Sequence, residues 1–312
     1  MATGISWTDE TWNPATGCSH VSAGCEHCYA ETLSLRRGWS EKPWTAPNAA
    51  ENVILHPKRL DQPFRWKAPR RIFVNSMSDL FHEQIPDEFI AAVFGVMAAR
   101  PQHTFQILTK RPERMREWFR TVETWTERSR AVFGDDTSDW RRWHCLVAAA
   151  INHIGGGKLS GACSGLTPWP LPNVWLGVSI EQDRWTLRAD ILRQTPAAVR
   201  FISAEPLLEP LPSLNLAGID WLIFGGESGV AGRWMVEKCV HRIPGYGPSC
   251  PVCGGTGWAV MPWAFIEARR LRDLTHAVGG AYFHKQWGGP TANSGHRYLD
   301  GRFWDEYPEV HP

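Results

Sequence analysis

The residues best suited to chemistry lie in one short stretch near the N-terminus. Cys18, Cys25 and Cys28, three of the chain's eight cysteines, fall in a loop rich in Gly, Ser and Pro. A helix is predicted directly after them, at 29–37. Thiolates that converge from one short loop favour a metal site over disulfides when the thiols stay reduced.

The spacing of these cysteines leaves more than one metal possible. A structural zinc ion takes four ligands, so His20 or His27 would have to complete a Cys3His site. Alternatively, three thiolates hold a [4Fe–4S] cluster with one iron open, which is the arrangement of radical S-adenosylmethionine (SAM) enzymes. The commonest spacing in those enzymes is shorter in its first gap, and an aromatic residue replaces His27. Unmetallated thiols are the third alternative.

Composition narrows the classes of protein. The chain has 312 residues, 43% of them hydrophobic, which is enough to bury a substantial α/β core. The formal net charge is +1, so no overall basicity indicates a nucleic-acid partner. There is no apolar run long enough to span a bilayer and no signal peptide. We therefore expect a soluble, cytoplasmic protein without a membrane partner.

Short apolar segments alternate with helical ones along most of the chain. Strands are predicted at 4–8, 52–56, 71–76, 104–109, 173–179, 199–203, 219–224 and 280–284. Helices are predicted at 86–99, 112–121, 183–194 and 263–277. Repeated strand–helix units predict a parallel sheet, and this number of units predicts a partial or complete parallel (β/α) barrel.

Polar residues follow most of these strands. In a barrel the carboxyl ends of the strands share one face, where active sites are built. A helix cap or a surface ion pair explains any single one of these residues, but their recurrence favours a site beside the cysteine loop. The candidates for contacts to a cofactor are Ser76, Asp79, Lys110, Glu181, Glu205, Glu227 and Lys285.

Two segments interrupt the pattern, and we interpret them as insertions on a single domain, 1–312. The first covers about 123–172. The second, about 239–258, contains a Cys-Pro-x-Cys-Gly sequence of the zinc-knuckle type. Its zinc ligands would be Cys239, His241, Cys250 and Cys253, with unmetallated thiols or a second Fe–S cluster as alternatives.

Taken together, these motifs resemble a family of phage-encoded and prophage proteins related to radical SAM enzymes. The resemblance spans nearly the whole chain except the two insertions. The segments that carry it are Thr16-Gly-Cys18, Gly24-Cys25-Glu-His-Cys28-Tyr-Ala-Glu31, Ser76-Met-Ser-Asp79, Leu108-Thr-Lys110-Arg111-Pro, Ser203-Ala-Glu205-Pro206, Gly225-Gly-Glu227-Ser-Gly229 and Lys285-Gln-Trp-Gly288.

The resemblance implies a radical SAM-type barrel in which Cys18, Cys25 and Cys28 bind the cluster. It implies SAM as cofactor, a flavodoxin-like or ferredoxin-like electron donor, and hydrogen abstraction from a substrate, for which a nucleotide or DNA is one class. Related enzymes hold the SAM amino group with Gly-Gly-Glu after an early strand, whereas Gly225-Gly226-Glu227 follows a late one. The segment 76–79 occupies the more equivalent place.

Two other functions are compatible with the same residues. One is a zinc- or Fe–S-containing nucleic-acid-binding or repair protein without SAM chemistry, using the basic segment 58–71 and exposed tryptophans. The other is a metal-dependent barrel hydrolase whose strand-exit carboxylates bind the metal ion.

Overall fold

A computed structural model describes residues 3–133, 169–229, 235–239, 258–289 and 296–309. The strands, in chain order, are Glu10–Trp12 (β1), Ala15–Thr16 (β2), Ile54–Leu55 (β3), Arg71–Val74 (β4), Thr104–Thr109 (β5), Val174–Ser179 (β6), Val199–Ala204 (β7), Trp221–Gly225 (β8), Val236–Lys238 (β9), Trp258–Val260 (β10) and Ala281–Gln286 (β11). The α-helices are Tyr29–Arg36 (α1), Ala49–Asn52 (α2), Asp87–Ala98 (α3), Pro112–Phe133 (α4), Leu187–Arg193 (α5) and Pro262–Ala277 (α6).

A seven-stranded parallel sheet forms the core, in the order β1-β4-β5-β6-β7-β8-β11. The order follows the chain without reversal. A doubly wound sheet reverses its order at a switch point, whereas a barrel sheet does not. The topology therefore confirms the mixed α/β class and agrees with a partial parallel barrel.

The first strand lies later than predicted, at Glu10–Trp12 instead of 4–8. Its start is set by Asp9, whose carboxylate accepts the backbone N–H of Arg71 at 2.8 Å. Just before it, Trp7 is buried and its ring centroid lies 4.7 Å from that of Phe73. The apolar pattern at 4–8 thus reflects a segment that packs on the sheet before regular pairing begins.

The chain divides into two compact units, which we call the N-terminal unit (Met1–Gly177 with Ile191–Val199) and the C-terminal unit (Val178–Asp190 with Arg200–His311). The prediction of one domain over 1–312 stays a prediction. The first predicted insertion begins within α4, which continues to Phe133, and residues 134–168 lie outside the described part of the chain.

In the N-terminal unit, α3 is the central helix of the core. Pro86 precedes it, and Asp87 and Glu88 occupy its first turn, where acidic side chains stabilise the helix by interacting with its dipole. The following residues, Phe89–Ala98, are all buried. The aromatic contact to α4 is close, with 4.5 Å between the ring centroids of Phe94 and Trp118.

In the C-terminal unit, the buried side chain of Trp221 on β8 contacts Phe201 on β7 and Phe283 on β11, at centroid distances of 5.6 and 6.1 Å. Trp287 follows β11 and stacks on Phe265 of α6 at 5.3 Å. No described helix has the length and apolar character needed to cross a membrane.

Candidate metal centre

The cysteine loop is anchored in the N-terminal unit at Gly17. Its backbone φ is +85°, and a Cβ atom there would lie 1.8 Å from the carbonyl oxygen of Asn52. Its N–H donates to the Met77 carbonyl at 2.9 Å. Only glycine fits this left-handed and closely packed position, so it fixes where Cys18 begins.

The last cysteine sits at the start of helix α1. Cys28 is the residue that precedes the first turn; its side chain makes no capping hydrogen bond, but the backbone N–H groups of Glu31 and Ala30 lie where they stabilise a thiolate. Burial raises the pKa of Cys28, while these N–H groups and the positive charge of Lys110 oppose that rise. The N-terminal end of a helix therefore favours negative charge on this sulfur.

Cys25 lies between the other two thiols along the loop, in the short turn Ala23–Cys25. Its charge acts on both Cys18 and Cys28, since a Cys25 thiolate raises the pKa of each. The three thiols therefore belong to one electrostatic group. Within the described residues, however, no three His, Cys, Asp or Glu side chains already converge as a metal site.

Arg111 is the side chain that ties the loop to the sheet. All of its guanidinium nitrogens are engaged: Nη1 donates to Cys18 Sγ and Asp79 Oδ2, both at 3.4 Å. Nη2 donates to the carbonyl and hydroxyl oxygens of Ser19 at 2.9 and 3.0 Å. Nε donates to Glu83 at 3.2 Å. Its exposure is only 6%, so this network replaces hydration.

Asp79 lies inside the same network. Its Oδ1 accepts from the Thr109 hydroxyl at 2.7 Å and from the N–H of Phe81 at 3.0 Å. Its Oδ2 accepts from the N–H of Lys110 at 3.0 Å as well as from Arg111. Each carboxylate oxygen is thus held by two protein donors, which is the pattern of a structural group.

The environment of Cys18 keeps its thiol protonated in the metal-free protein. Burial and, next, the carboxylate of Asp79 raise the pKa of Cys18 to about 12, although Arg111 opposes this. The thiol donates to the Ser19 carbonyl at 3.4 Å. Binding of any metal here must displace that proton.

Two histidines flank the loop. His82 accepts the N–H of Gln84 at Nδ1, so its Nε2 carries the proton and donates to the Ser19 hydroxyl at 2.9 Å. Burial lowers the pKa of His82, which keeps it neutral beside Arg111. His20 pairs with Glu31, with 2.5 Å between Nε2 and Oε2.

The chemistry of the donor set fits an Fe–S cluster or zinc. Three thiols come from one loop, Arg111 donates to the sulfur of Cys18, the first turn of α1 favours negative charge at Cys28, and Lys110 and Arg111 provide positive charge. Such hydrogen bonds and charges stabilise thiolate ligands of Fe–S clusters. For a zinc site, His20 is the candidate fourth ligand, because a metal-binding histidine usually bonds a carboxylate through its other ring nitrogen.

Ser76, the other predicted residue in this unit, shapes the loop around it. Its hydroxyl lies 3.2 Å from Asn13 Nδ2, and its carbonyl accepts from the Tyr29 hydroxyl at 2.5 Å.

The ammonium of Lys110 has no ion-pair partner within the described ranges. Lys110 is therefore the predicted residue here with capacity for an anionic ligand.

The C-terminal unit brings Glu205 and Lys285 together. Lys285 Nζ lies 2.7 Å from Glu205 Oε1, and Ser203 donates to the other carboxylate oxygen at 3.3 Å. A Cβ at Gly225 would lie 2.7 Å from Glu205 Oε1, so this glycine makes room for the carboxylate. The ion pair joins Glu205, directly after β7, to Lys285, which lies within β11 near its carboxyl end and not after the strand as predicted.

The two other predicted glutamates of this unit differ in environment. Glu181 is fully buried, and its carboxylate accepts from Arg188 at 3.0 Å. Arg188 also donates to the carbonyl of Ser179, the last residue of β6, at 2.7 Å, so the Glu181–Arg188 pair is fixed to the end of this strand. Glu227 is buried in the loop after β8, where its carbonyl accepts the N–H of Gly289 at 2.8 Å.

Of the predicted zinc ligands, only Cys239 is described, next to the end of β9. His241, Cys250 and Cys253 lie outside the described residues.

Sequence reasoning assigned no role to Ser19, Glu31, His82 or Glu83, the polar residues that surround the thiols. The position of Glu31, three residues after the last cysteine of the loop, was the available signal, since an acidic residue in the first turn often caps a helix. For Glu83 and His82 no local pattern distinguishes them from surface residues.

The chain belongs to the DUF5131 family: the family model, described as a protein of unknown function, matches residues 2–246. No curated protein matches the chain, and no solved structure does.

Proposed function

We propose that this member of the DUF5131 family is a radical SAM-type enzyme in which Cys18, Cys25 and Cys28 bind a [4Fe–4S] cluster. The observation that carries the proposal is the set of three thiols on one loop, with Arg111 donating to the Cys18 sulfur and the positive charges of Arg111 and Lys110 beside them. When bound, such a cluster supplies the electron that cleaves SAM reductively.

The chain's own residues contribute binding and orientation. Lys110 binds an anionic group of SAM or of the substrate, because its positive charge acts at the thiols and its ammonium is unpaired among the described residues. Glu205 and Lys285 bind amine, ribose or anionic groups near the carboxyl ends of β7 and β11 in the C-terminal unit. Glu227 and Ser76 contribute from the loops in which they lie. Asp79 and Glu181 act indirectly, by holding Arg111 and Arg188.

A one-electron donor of the flavodoxin or ferredoxin type reduces the protein in the cytoplasm. The substrate is a molecule with an abstractable hydrogen, and a nucleotide or DNA is the class we would screen first.

The proposal is tested by anaerobic reconstitution with iron and sulfide. We expect iron and acid-labile sulfide to bind, with broad absorption near roughly 400 nm. Cys18→Ala, Cys25→Ala and Cys28→Ala should each abolish this absorption, whereas Cys163→Ala, a control in the predicted insertion 123–172, should retain it. With dithionite and SAM, the wild type should release 5′-deoxyadenosine slowly. Full absorption in Cys25→Ala, or no deoxyadenosine from loaded protein, would contradict the proposal.

The contact between His20 and Glu31 favours one alternative, a Cys3His zinc site in a nucleic-acid-binding or repair protein. A carboxylate on one imidazole nitrogen is the usual environment of a zinc-bound histidine. That alternative predicts about one tightly bound zinc at this loop and its loss in His20→Ala. Iron and sulfide in the wild type, retained in His20→Ala, would eliminate it.

A further inference from the structure

We propose that Arg111 tunes the electron affinity of the bound cluster through its N–H···S hydrogen bond to Cys18, in addition to fixing the loop. This inference rests on the proposed function. It concerns a positioning residue for the cluster, and its readout is a reduction potential.

The guanidinium group of Arg111 contacts the sulfur of Cys18 directly. Nη1 lies 3.4 Å from the Cys18 sulfur, and the Arg111 side chain is 6% exposed. Hydrogen bonds from charged donors are stronger than neutral ones, and burial prevents screening by salt. Hydrogen bonds to the sulfurs and nearby charge are among the features that set the potential of such clusters.

The direction of the effect follows from the charge balance. Reduction adds one electron from a one-electron donor to a site that already carries three thiolates. A fixed positive charge next to one sulfur stabilises the more negative, reduced state. Loss of that charge should therefore lower the midpoint potential, so that the cluster becomes harder to reduce.

The neighbouring acids do not cancel this effect. Glu83 is 62% exposed, and solvent weakens its influence. Asp79 is buried and carries negative charge close to Cys18, where it raises the thiol pKa. Without Arg111, Asp79 would face the thiolate uncompensated, which adds to the fall in potential.

A lysine cannot replace the arginine fully. Arg111 donates at once to Cys18, Asp79, Ser19 and Glu83 from a rigid planar group. A lysine at this position keeps the charge but has fewer and less directed donors. Arg111→Lys should therefore give a smaller fall in potential than Arg111→Gln.

The test is a redox titration of the reconstituted protein without SAM, followed by electron paramagnetic resonance and normalised to iron content. At a fixed solution potential we expect Arg111→Gln to lower the ratio of reduced to oxidised cluster by about tenfold, equivalent to about 59 mV for one electron. Arg111→Lys should fall between it and the wild type.

Glu83→Gln is the matched control, because it removes an Arg111 partner while leaving the contact to sulfur. Its potential should equal that of the wild type or exceed it. If Arg111→Gln assembles no cluster, the comparison of Arg111→Lys with Glu83→Gln decides the question. Loaded variants with the wild-type potential would overturn the inference and make Arg111 purely structural. A wild type that binds no iron and sulfide would instead overturn the proposed function.

Discussion

The cysteine loop of the N-terminal unit and the Glu205–Lys285 pair of the C-terminal unit both join residues at or near the carboxyl ends of strands by contacts between opposite charges. In the first, Arg111 is 6% exposed and every nitrogen donates to a protein group. In the second, Lys285 is 27% exposed and makes one ion pair. The first region is therefore a fixed scaffold, whereas the second keeps capacity to exchange its partner for a ligand.

The largest effect is expected where the loop's scaffold is tightest. Gly17→Ala places a Cβ 1.8 Å from the Asn52 carbonyl oxygen in a left-handed backbone conformation. We expect a loss of about 4–5 kcal/mol in the free energy of unfolding, because both the clash and the strain are backbone effects. Urea denaturation of the metal-free protein measures this loss.

Gly38→Ala is the control for that experiment. Its φ is +67°, but no atom lies within 4 Å of the added Cβ. We expect the cost of the left-handed conformation alone, about 1 kcal/mol. Equal losses in the two variants would show that the contact between Gly17 and Asn52 does not constrain the loop.

The next largest effect on the free energy of unfolding is expected from removing one charge from each of the two ion pairs. Asp79→Asn removes the buried negative charge that faces Arg111, and we expect a loss of about 3 kcal/mol in unfolding free energy. Glu205→Gln removes the charge from a more accessible pair, and we expect less than about 1 kcal/mol. Chemical denaturation at low and high salt measures both. Similar losses would mean that the second region is as rigid as the first.

A smaller and pH-dependent effect is expected in the C-terminal unit. His284 is buried beside Phe224 and Trp287, and burial lowers the pKa of His284 to about 3. The unfolded chain takes up the proton below about pH 6.5 while the folded chain does not. Stability is therefore complete above that pH and falls as the pH drops towards 3.

The variant His284→Gln removes this group. The difference in unfolding free energy between wild type and variant should shrink by about 2 kcal/mol between pH 7 and pH 4.5. Urea denaturation at both pH values measures it. A difference independent of pH would show that His284 is protonated in the folded protein.

Much of the fold could be predicted from the sequence. The strand at Thr104–Thr109 falls where its apolar pattern placed it, and α1 begins directly after Cys28. The helix after β5 was predicted to end at 121, but it continues to Phe133. The local sequence pattern therefore locates helices and strands, whereas tertiary contacts decide where they begin and end.

The candidate site shows the same limit. The spacing of Cys18, Cys25 and Cys28 predicts a metal site, whereas the pairing of Glu205 with Lys285 was found only in the structure, because the two residues are far apart in sequence. The role of Asp79 could not be read in this way. A carboxylate that faces a ligand and one held by Thr109 and Arg111 look alike in sequence, because the donors lie about 30 residues away.

The long sequence separation of the loop's anchors has a consequence for biosynthesis. Cys18 is emitted early by the ribosome, but Arg111, its hydrogen-bond partner, follows 93 residues later. Until β4 and β5 have been made, nothing holds the thiols in their folded arrangement, and they are exposed to oxidation. The cluster that we propose should thus be loaded only after the first third of the chain has been translated, and the thiols depend on reducing conditions until then.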